Sequence, residues 1–213
     1  YVYLFLLGIG FWVPDPVRPI RPNRPSEAQH ASEGCGLRSS ELHKPSGDRP
    51  RGKFHEEDPE IKKPYYSRDR SKKVIFNSNF NLYKEAAASW RDTLTISLRG
   101  PTREHTTVEY IKHIRHLGDL LFELLSEGLG LRSQHVREEM ECAQGCTFVC
   151  HYYPPCPEPE LTLGAWSHSD PWFLTLLHQD QGGGLQVLHN RQWVPVRPIP
   201  GSLIVNVGDF LQV

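Results

Sequence analysis

From residue 147 onward the chain is cut into short runs rich in β-branched and aromatic residues, at 147–153, 172–178, 184–189, 192–197 and 202–207. Between them stand Pro154-Pro155, Gly182-Gly183, Asn190 and Pro200-Gly201, residues that supply positive φ or a fixed φ for turning. Runs this short and this closely spaced leave no room for crossover helices. They predict antiparallel strands in a sandwich, barrel or jelly roll, and of these the jelly roll is the expected fold.

Upstream, Val108, Ile111, Ile114, Leu117, Leu121, Leu124 and Leu125 recur at steps of three and four, with Lys112, Arg115, Asp119 and Glu123 on other faces. That spacing predicts an amphipathic helix over 107–128, capped by Thr106 or Thr107 and ended by Gly128 and Gly130. One apolar stripe needs one surface to cover, and the following sheet is the expected support. Residues 53–63 can open a helix limited by Pro59, and Val74, Ile75 and Phe76 suggest a short strand. Residues 85–88 favour helix before the run at 90–94.

The first thirteen residues, YVYLFLLGIGFWV, are almost wholly apolar but too few to cross a bilayer, and they lack a basic leader or cleavage site. A buried strand is the expected reading, with the tail of a truncated targeting segment as the alternative. Residues 14–52 then mix Pro14, Pro16, Pro19, Pro22, Pro25, Pro45 and Pro50 with Arg, Ser, Gly and Glu, the composition of a linker without a core of its own. The expected organisation is therefore an atypical, poorly ordered segment at 1–52, a helical region at 53–141 and a β core at 142–213. Tyr1 opens the chain and Met140 is its sole methionine, so the sequence reads as a fragment.

With 24 Lys and Arg against 25 Asp and Glu, there is no electrostatic footprint for nucleic acid or an anionic membrane. The expected partner is a small molecule, and the expected state a cytoplasmic monomer. Cys35, Cys142, Cys146, Cys150 and Cys156 are odd in number, which fits free thiols in a reducing compartment. Cys142, Cys146 and Cys150 fall four apart, unlike the paired spacings of zinc modules or cluster sites, and are expected to be buried as small apolar groups.

His168 and Asp170 flank Ser169. In an extended segment they project to one face, since strand side chains alternate. An imidazole beside a carboxylate supplies two of the three ligands of the 2-His-1-carboxylate triad that holds non-haem iron(II) with open positions. Alone, an H-x-D triplet is weak, and most such triplets are surface polar residues.

The surrounding run is far more specific. HYYPPCPEPELTLGAWSHSD, followed by FLTLLHQDQGGGLQVLHNRQWVPVRPIPGSLIVNVGDFLQV, resembles the core of the plant 2-oxoglutarate- and Fe(II)-dependent dioxygenases. Within them it is most similar to the 1-aminocyclopropane-1-carboxylate oxidase homologues, the branch that includes DIBOA-glucoside dioxygenase. FHEEDPEIKKPYYSRDRSKKVIFNSNF and WRDTL look like that branch's helical N-terminal domain. The resemblance implies a fold class that is mainly β with flanking α: a partial double-stranded β-helix (jelly roll) with N-terminal helices packed outside it.

It also implies Fe(II), 2-oxoglutarate and dioxygen as cofactor and cosubstrates, with ascorbate as a further candidate. His168 and Asp170 would be metal ligands. Tyr153 would help hold the distal carboxylate of 2-oxoglutarate, a role suited to a phenol, which donates a hydrogen bond without adding charge. Ser169 and Phe173 flank the metal as candidate substrate-pocket residues, and so do Trp166 and Trp172. His151 stands where many relatives carry asparagine and this branch often carries histidine. The implied reaction is oxidative decarboxylation of 2-oxoglutarate coupled to hydroxylation or desaturation of a small plant metabolite.

In the family a third, histidine ligand and an R-x-S motif lie further downstream, and by spacing both would fall after Val213. His178 and His189 are too near in sequence to match that ligand and read as strand or turn residues. The opening 52 residues and the stretch 98–109 depart from the family pattern. Two other functions therefore stand beside the oxygenase: a non-catalytic remnant of the fold, and an ascorbate-using oxidase of the 1-aminocyclopropane-1-carboxylate oxidase type.

Overall fold

In the computed structural model the described residues are 2–9, 53–79, 87–98, 105–140 and 145–211. The prolines at 14–50, the 85–86 part of the helix-favouring stretch, Cys35 and Cys142 lie outside them. Ten strands are seen: β1 Val2–Ile9, β2 Val74–Ser78, β3 Ala88–Ser89, β4 Asp92–Ser97, β5 Cys146–Tyr153, β6 Thr162–Leu163, β7 Leu174–Gln179, β8 Gln186–His189, β9 Gln192–Pro195 and β10 Ile204–Val207. Helices α1 Lys53–Glu56, α2 Pro59–Lys62, α3 His105–Gly128 and α4 His135–Glu138 accompany them.

Six strands form one sheet in the order β10-β7-β1-β5-β4-β2, every pairing antiparallel. The remaining strands make two small sheets, β3 with β6 in parallel and the β8–β9 hairpin. The hairpin turns through Asn190 and Arg191, both at positive φ (51° and 64°), the geometry that matches a two-residue loop to strand twist. The described part of the apolar opening run, Val2–Ile9, is a strand, inserted into the middle of the main sheet. β2 and β4 come from 53–141 and pair into the same sheet as β5, so the sheet runs across residue 142. Within the helix-favouring stretch, Ala88 is extended and not helical, because β3 pairs in parallel with β6 and pairing overrides local preference.

Directly opposed residues of antiparallel neighbours share a face. One face of the main sheet therefore carries Leu174 and Leu176 of β7, Cys146, Phe148 and Cys150 of β5, and Leu94 and Ile96 of β4. α3 lays Ile111, Ile114 and Phe122 against this face, with Tyr110 edge-on to Phe148 at 6.3 Å. Phe122 and Leu174 are essentially inaccessible, and burying a side chain of that size contributes about 2–3 kcal/mol. α3 begins at His105, so Thr106 and Thr107 lie inside the helix and do not cap it. Its far end is as expected: Gly130 takes φ +72° and Leu131 N–H returns to Ser126 O at 2.9 Å.

Ser126 fastens the two helices together. Its hydroxyl donates to Phe122 O (2.8 Å) and accepts from Val136 N–H (3.1 Å), and Ser126 and Val136 are both fully buried. Ser126→Ala removes the hydroxyl that bridges Phe122 O and Val136 N–H in a fully buried place. The expected loss is about 1–3 kcal/mol of unfolding free energy, read as a lower urea midpoint at unchanged slope.

Candidate metal centre

The opposite face of the sheet has a different texture. One row across it reads Gln179, His151, Thr93, Asn77, and a second reads Asn206, Thr175, Thr147, Ser97, with Ile204, Leu177, Val149, Thr95 and Ile75 between. These polar rows are largely buried: Gln179, His151, Thr93, Asn77 and Thr175 are each less than one-tenth exposed. Thr175 Oγ1, Asn77 Oδ1 and Gln179 Oε1 have no hydrogen-bond partner there. Buried polar atoms are normally satisfied, so a face holding three that are not is the chemistry of a polar binding surface.

His168 and Asp170 lie in an irregular segment between β6 and β7. Their side chains converge, His168 Nε2 standing 3.5 Å from Asp170 Oδ1. Two donors bound at right angles about 2.1 Å from one ion are roughly 3 Å apart, so this pair is close to chelating separation. Each donor is also oriented from behind. His168 Nδ1 is 2.7 Å from Trp166 O, a carbonyl that can only accept, which places the proton on Nδ1 and leaves Nε2 as the coordinating lone pair. Asn206 Nδ2 donates to Asp170 Oδ2 at 3.3 Å. The residues present therefore fit a divalent cation. Among the described residues no third His, Cys, Asp or Glu joins them.

Ser169 donates to Asp209 Oδ2 at 2.8 Å. The turn after β10 grips the whole segment: Gly208 N–H donates to Phe173 O (2.9 Å) and Asp209 N–H to Asp170 O (2.9 Å). Position 208 has to be glycine, since a Cβ there would stand 1.9 Å from Trp172 O and 2.9 Å from Asp170 O. Phe173 is 4% exposed, edge-on to Phe122 and stacked on Phe210 at 5.2 Å. Its large apolar ring gains more from that packing than from a polar site. Trp166 donates to Ala87 O at 3.3 Å, and Trp172 is half-buried.

His151 and Tyr153 project to the polar face from β5, with ring centroids 6.2 Å apart. Thr93 Oγ1 lies 3.0 Å from His151 Nδ1, and burial holds this imidazole far below its ordinary pKa, with Arg91, His168 and His55 adding to the effect. His151 is therefore neutral. Of the cysteines, Cys146 and Cys150 are buried on the apolar face, and Cys156 Sγ is 3.1 Å from Thr162 Oγ1. His178 is a β7 residue, and His189 ends β8 beside Asn190.

Reasoning from sequence missed Asn206, Gly208, Asp209, Thr93 and Thr175. A polar Asn inside the apolar run LIVNV was the available signal, since a buried strand keeps an amide only where it has a partner. Asn206→Ala is expected to weaken Co(II) or Mn(II) binding by about ten- to a hundredfold, the usual effect of losing a group that orients a metal-binding carboxylate. Calorimetric titration of both proteins measures it.

Fold and paired donors together define a class. A family model for the 2OG-Fe(II) oxygenase superfamily matches residues 144–213, and the chain resembles the plant 2-oxoglutarate- and Fe(II)-dependent dioxygenases. Within that class, 1-aminocyclopropane-1-carboxylate oxidase homolog 6 of Arabidopsis thaliana is 52% identical over 170 residues, covering 75% of this chain and 47% of that protein. Homolog 12 of the same plant is 53% identical over 171 residues, covering 75% and 46%. The chain spans about half the length of these curated relatives. Among solved structures it is similar to JOX2 in complex with 2OG, Fe and JA, at a TM-score of 0.67 and 28% identity over 89% of this chain and 56% of that one. A C-terminally truncated protein of Neurospora crassa, solved in apo form, shares the fold at a TM-score of 0.58 and 18% identity over 89% and 67%. The jelly-roll expectation is met by both neighbours. Among the described residues no helix is long and apolar enough to cross a membrane.

Proposed function

We propose that this chain carries part of the active site of an Fe(II)- and 2-oxoglutarate-dependent oxidoreductase that hydroxylates or desaturates a small plant metabolite. The observation that carries the reading is the convergence of His168 Nε2 and Asp170 Oδ1, each donor oriented by a second group. His168 and Asp170 would hold the metal, and Tyr153 would donate its phenolic hydrogen to the distal carboxylate of 2-oxoglutarate. Iron and cosubstrate, when bound, supply the oxidising power. The protein's own contribution is placement. The Gly208 turn fixes the ligand segment, neutral His151 leaves the face without an added proton, and the outer layer under α3 keeps water from the sheet. Ser169 stands at the exposed edge of the site as a candidate substrate contact.

The working unit we propose is a cytoplasmic monomer with 53–141 as its helical region and 142–213 as its jelly-roll portion. The test is Fe(II) binding together with succinate formation from 2-oxoglutarate, compared between the chain and Asp170→Ala. Metal binding lost in the variant supports the ligand assignment. Turnover that needs ascorbate but not 2-oxoglutarate would replace the reading with the ascorbate-using oxidase, and a chain that binds no iron would make it a remnant of the fold.

A further inference from the structure

Among the described residues Arg91 is a cation without a carboxylate. It stands immediately before β4, partly buried, and its Nε is shielded from solvent with no hydrogen-bond partner. None of the ion pairs among the described residues includes it. The adjacent Asp92 is engaged elsewhere, accepting from Ser78 Oγ on the face that carries Leu94 and Ile96. A guanidinium drawn out of water is normally paired, because desolvating a lone charge is costly. One left unpaired points to an anion that arrives with a ligand.

The direction of the side chain follows from the ladder. Ser78 is registered with Asp92, and one step further Asn79 N–H donates to Arg91 O at 3.1 Å, so the pairing reaches residue 91. Alternation then puts Arg91 on the side of Thr93, which is the polar face. One step past the Asp92–Tyr152 pair, it comes opposite Tyr153. The electrostatics agree with that side: burial first and Arg91 second lower the pKa of His151, a residue of the same face.

The backbone before Arg91 is also fastened to the segment that holds the candidate ligands. Ala88 and Ser89 pair with Thr162 and Leu163, and Trp90 N–H donates to Leu163 O at 2.7 Å. Ala87 O accepts from Trp166 Nε1 at 3.3 Å, and Trp166 O orients the imidazole of His168. Two hydrogen bonds thus join Ala87 to His168 through Trp166. A group gripped by Arg91 is held in a fixed relation to the His168–Asp170 pair.

We propose that Arg91 is a carboxylate-binding residue of the polar face, an assignment that rests on this face being where the small molecules proposed above bind. The planar fork of N–H donors matches the two oxygens of a carboxylate. Two molecules could bring that group, 2-oxoglutarate itself and an acidic metabolite as substrate.

The experiment titrates the full chain and Arg91→Gln, without metal, by calorimetry. The probes are glutarate, which keeps both carboxylates of the cosubstrate, phenylacetate as a single acid, and phenylacetamide as its neutral counterpart. We expect at least one acid to bind the variant about tenfold more weakly or worse, with phenylacetamide unaffected and the urea midpoint of the ligand-free variant unchanged. Loss with glutarate alone assigns Arg91 to the cosubstrate, and loss with phenylacetate assigns it to an acidic substrate. Equal acid affinities in the two chains, or no binding of either acid to the unaltered chain, overturns the proposal. So does a midpoint that falls together with the affinity for the amide, which would mark a packing role.

Arg91→Lys, which keeps the charge and loses the fork, should bind the acid with an affinity between those of the other two chains, and it replaces Arg91→Gln if that variant does not fold. An affinity in the lysine variant equal to that of the unaltered chain would then overturn the proposal. A Co(II) titration of the same proteins keeps the metal site separate. Acid binding that depends on Arg91 in a chain that takes up no Co(II) would sink the iron reading and leave this one standing, and Co(II) uptake with acid binding indifferent to Arg91 would do the reverse.

Discussion

Replacing Gly208 with alanine is expected to remove divalent-metal binding at micromolar concentrations and to lower unfolding free energy by about 2–4 kcal/mol. The added methyl would sit 1.9 Å from Trp172 O, and that oxygen belongs to backbone and not to a side chain that can swing aside. Either the turn after β10 retreats or the segment 168–173 does. Both movements break the hydrogen bonds from Gly208 and Asp209 that hold Phe173 and Asp170, and both carry Asp170 away from Asn206. Urea unfolding and a Co(II) titration separate the two effects. Retained metal affinity with full loss of stability would show that the clamp supports the core and not the ligand pair.

The second large effect is on pH. His55 is 4% exposed, stacked on Tyr152 at 5.3 Å with rings 20° apart, and edge-on to Phe54 and Phe76. Burial first, and Lys62 second, lower its pKa from 6.5 to about 4. The unfolded chain therefore binds a proton that the folded chain refuses between those values. Stability from this group is complete above pH 6.5 and declines as pH falls toward 4, by about 3 kcal/mol in all. His151, also buried and also held below its ordinary value, acts in the same direction. Unfolding free energies measured from pH 7 to pH 4 should fall for the native chain, and His55→Phe should make that slope shallower. An unchanged slope in the variant would assign the acid sensitivity elsewhere.

Much of the β core was legible because period-two patterning and turn residues act locally. The runs at 147–153 and 202–207 became β5 and β10 within a residue or two. The stripe on α3 was equally plain. β4 was not: DTLTIS alternates only from Thr93 to Ser97, and its partners β2 and β5 lie elsewhere in the chain. The site divided the same way. His168 and Asp170 flank a single residue and could be paired on spacing. Asn206 and Gly208 reach them from far along the chain, through a close approach of backbones that no local pattern encodes. The packing of Phe173 against Phe122 and Phe210 was not legible for a related reason: adjacency to a candidate ligand in sequence says nothing about which side of the backbone faces the core.

The alternation along β5 has one more consequence, for the chemical durability of the molecule. Cys150 is the sequence neighbour of His151, yet its sulfur lies on the apolar face and its thiol is pushed up to about 12 by burial, as is that of Cys146. At neutral pH only about one such thiol in 10⁵ is ionised, and the thiolate is the form that oxidants attack. One strand thus presents imidazole and phenol on the polar face while its sulfurs sit behind the sheet. Thiol oxidation is limited by the pleat of a single strand, and among the described cysteines Cys156, half-buried near the surface, is the one left open to it.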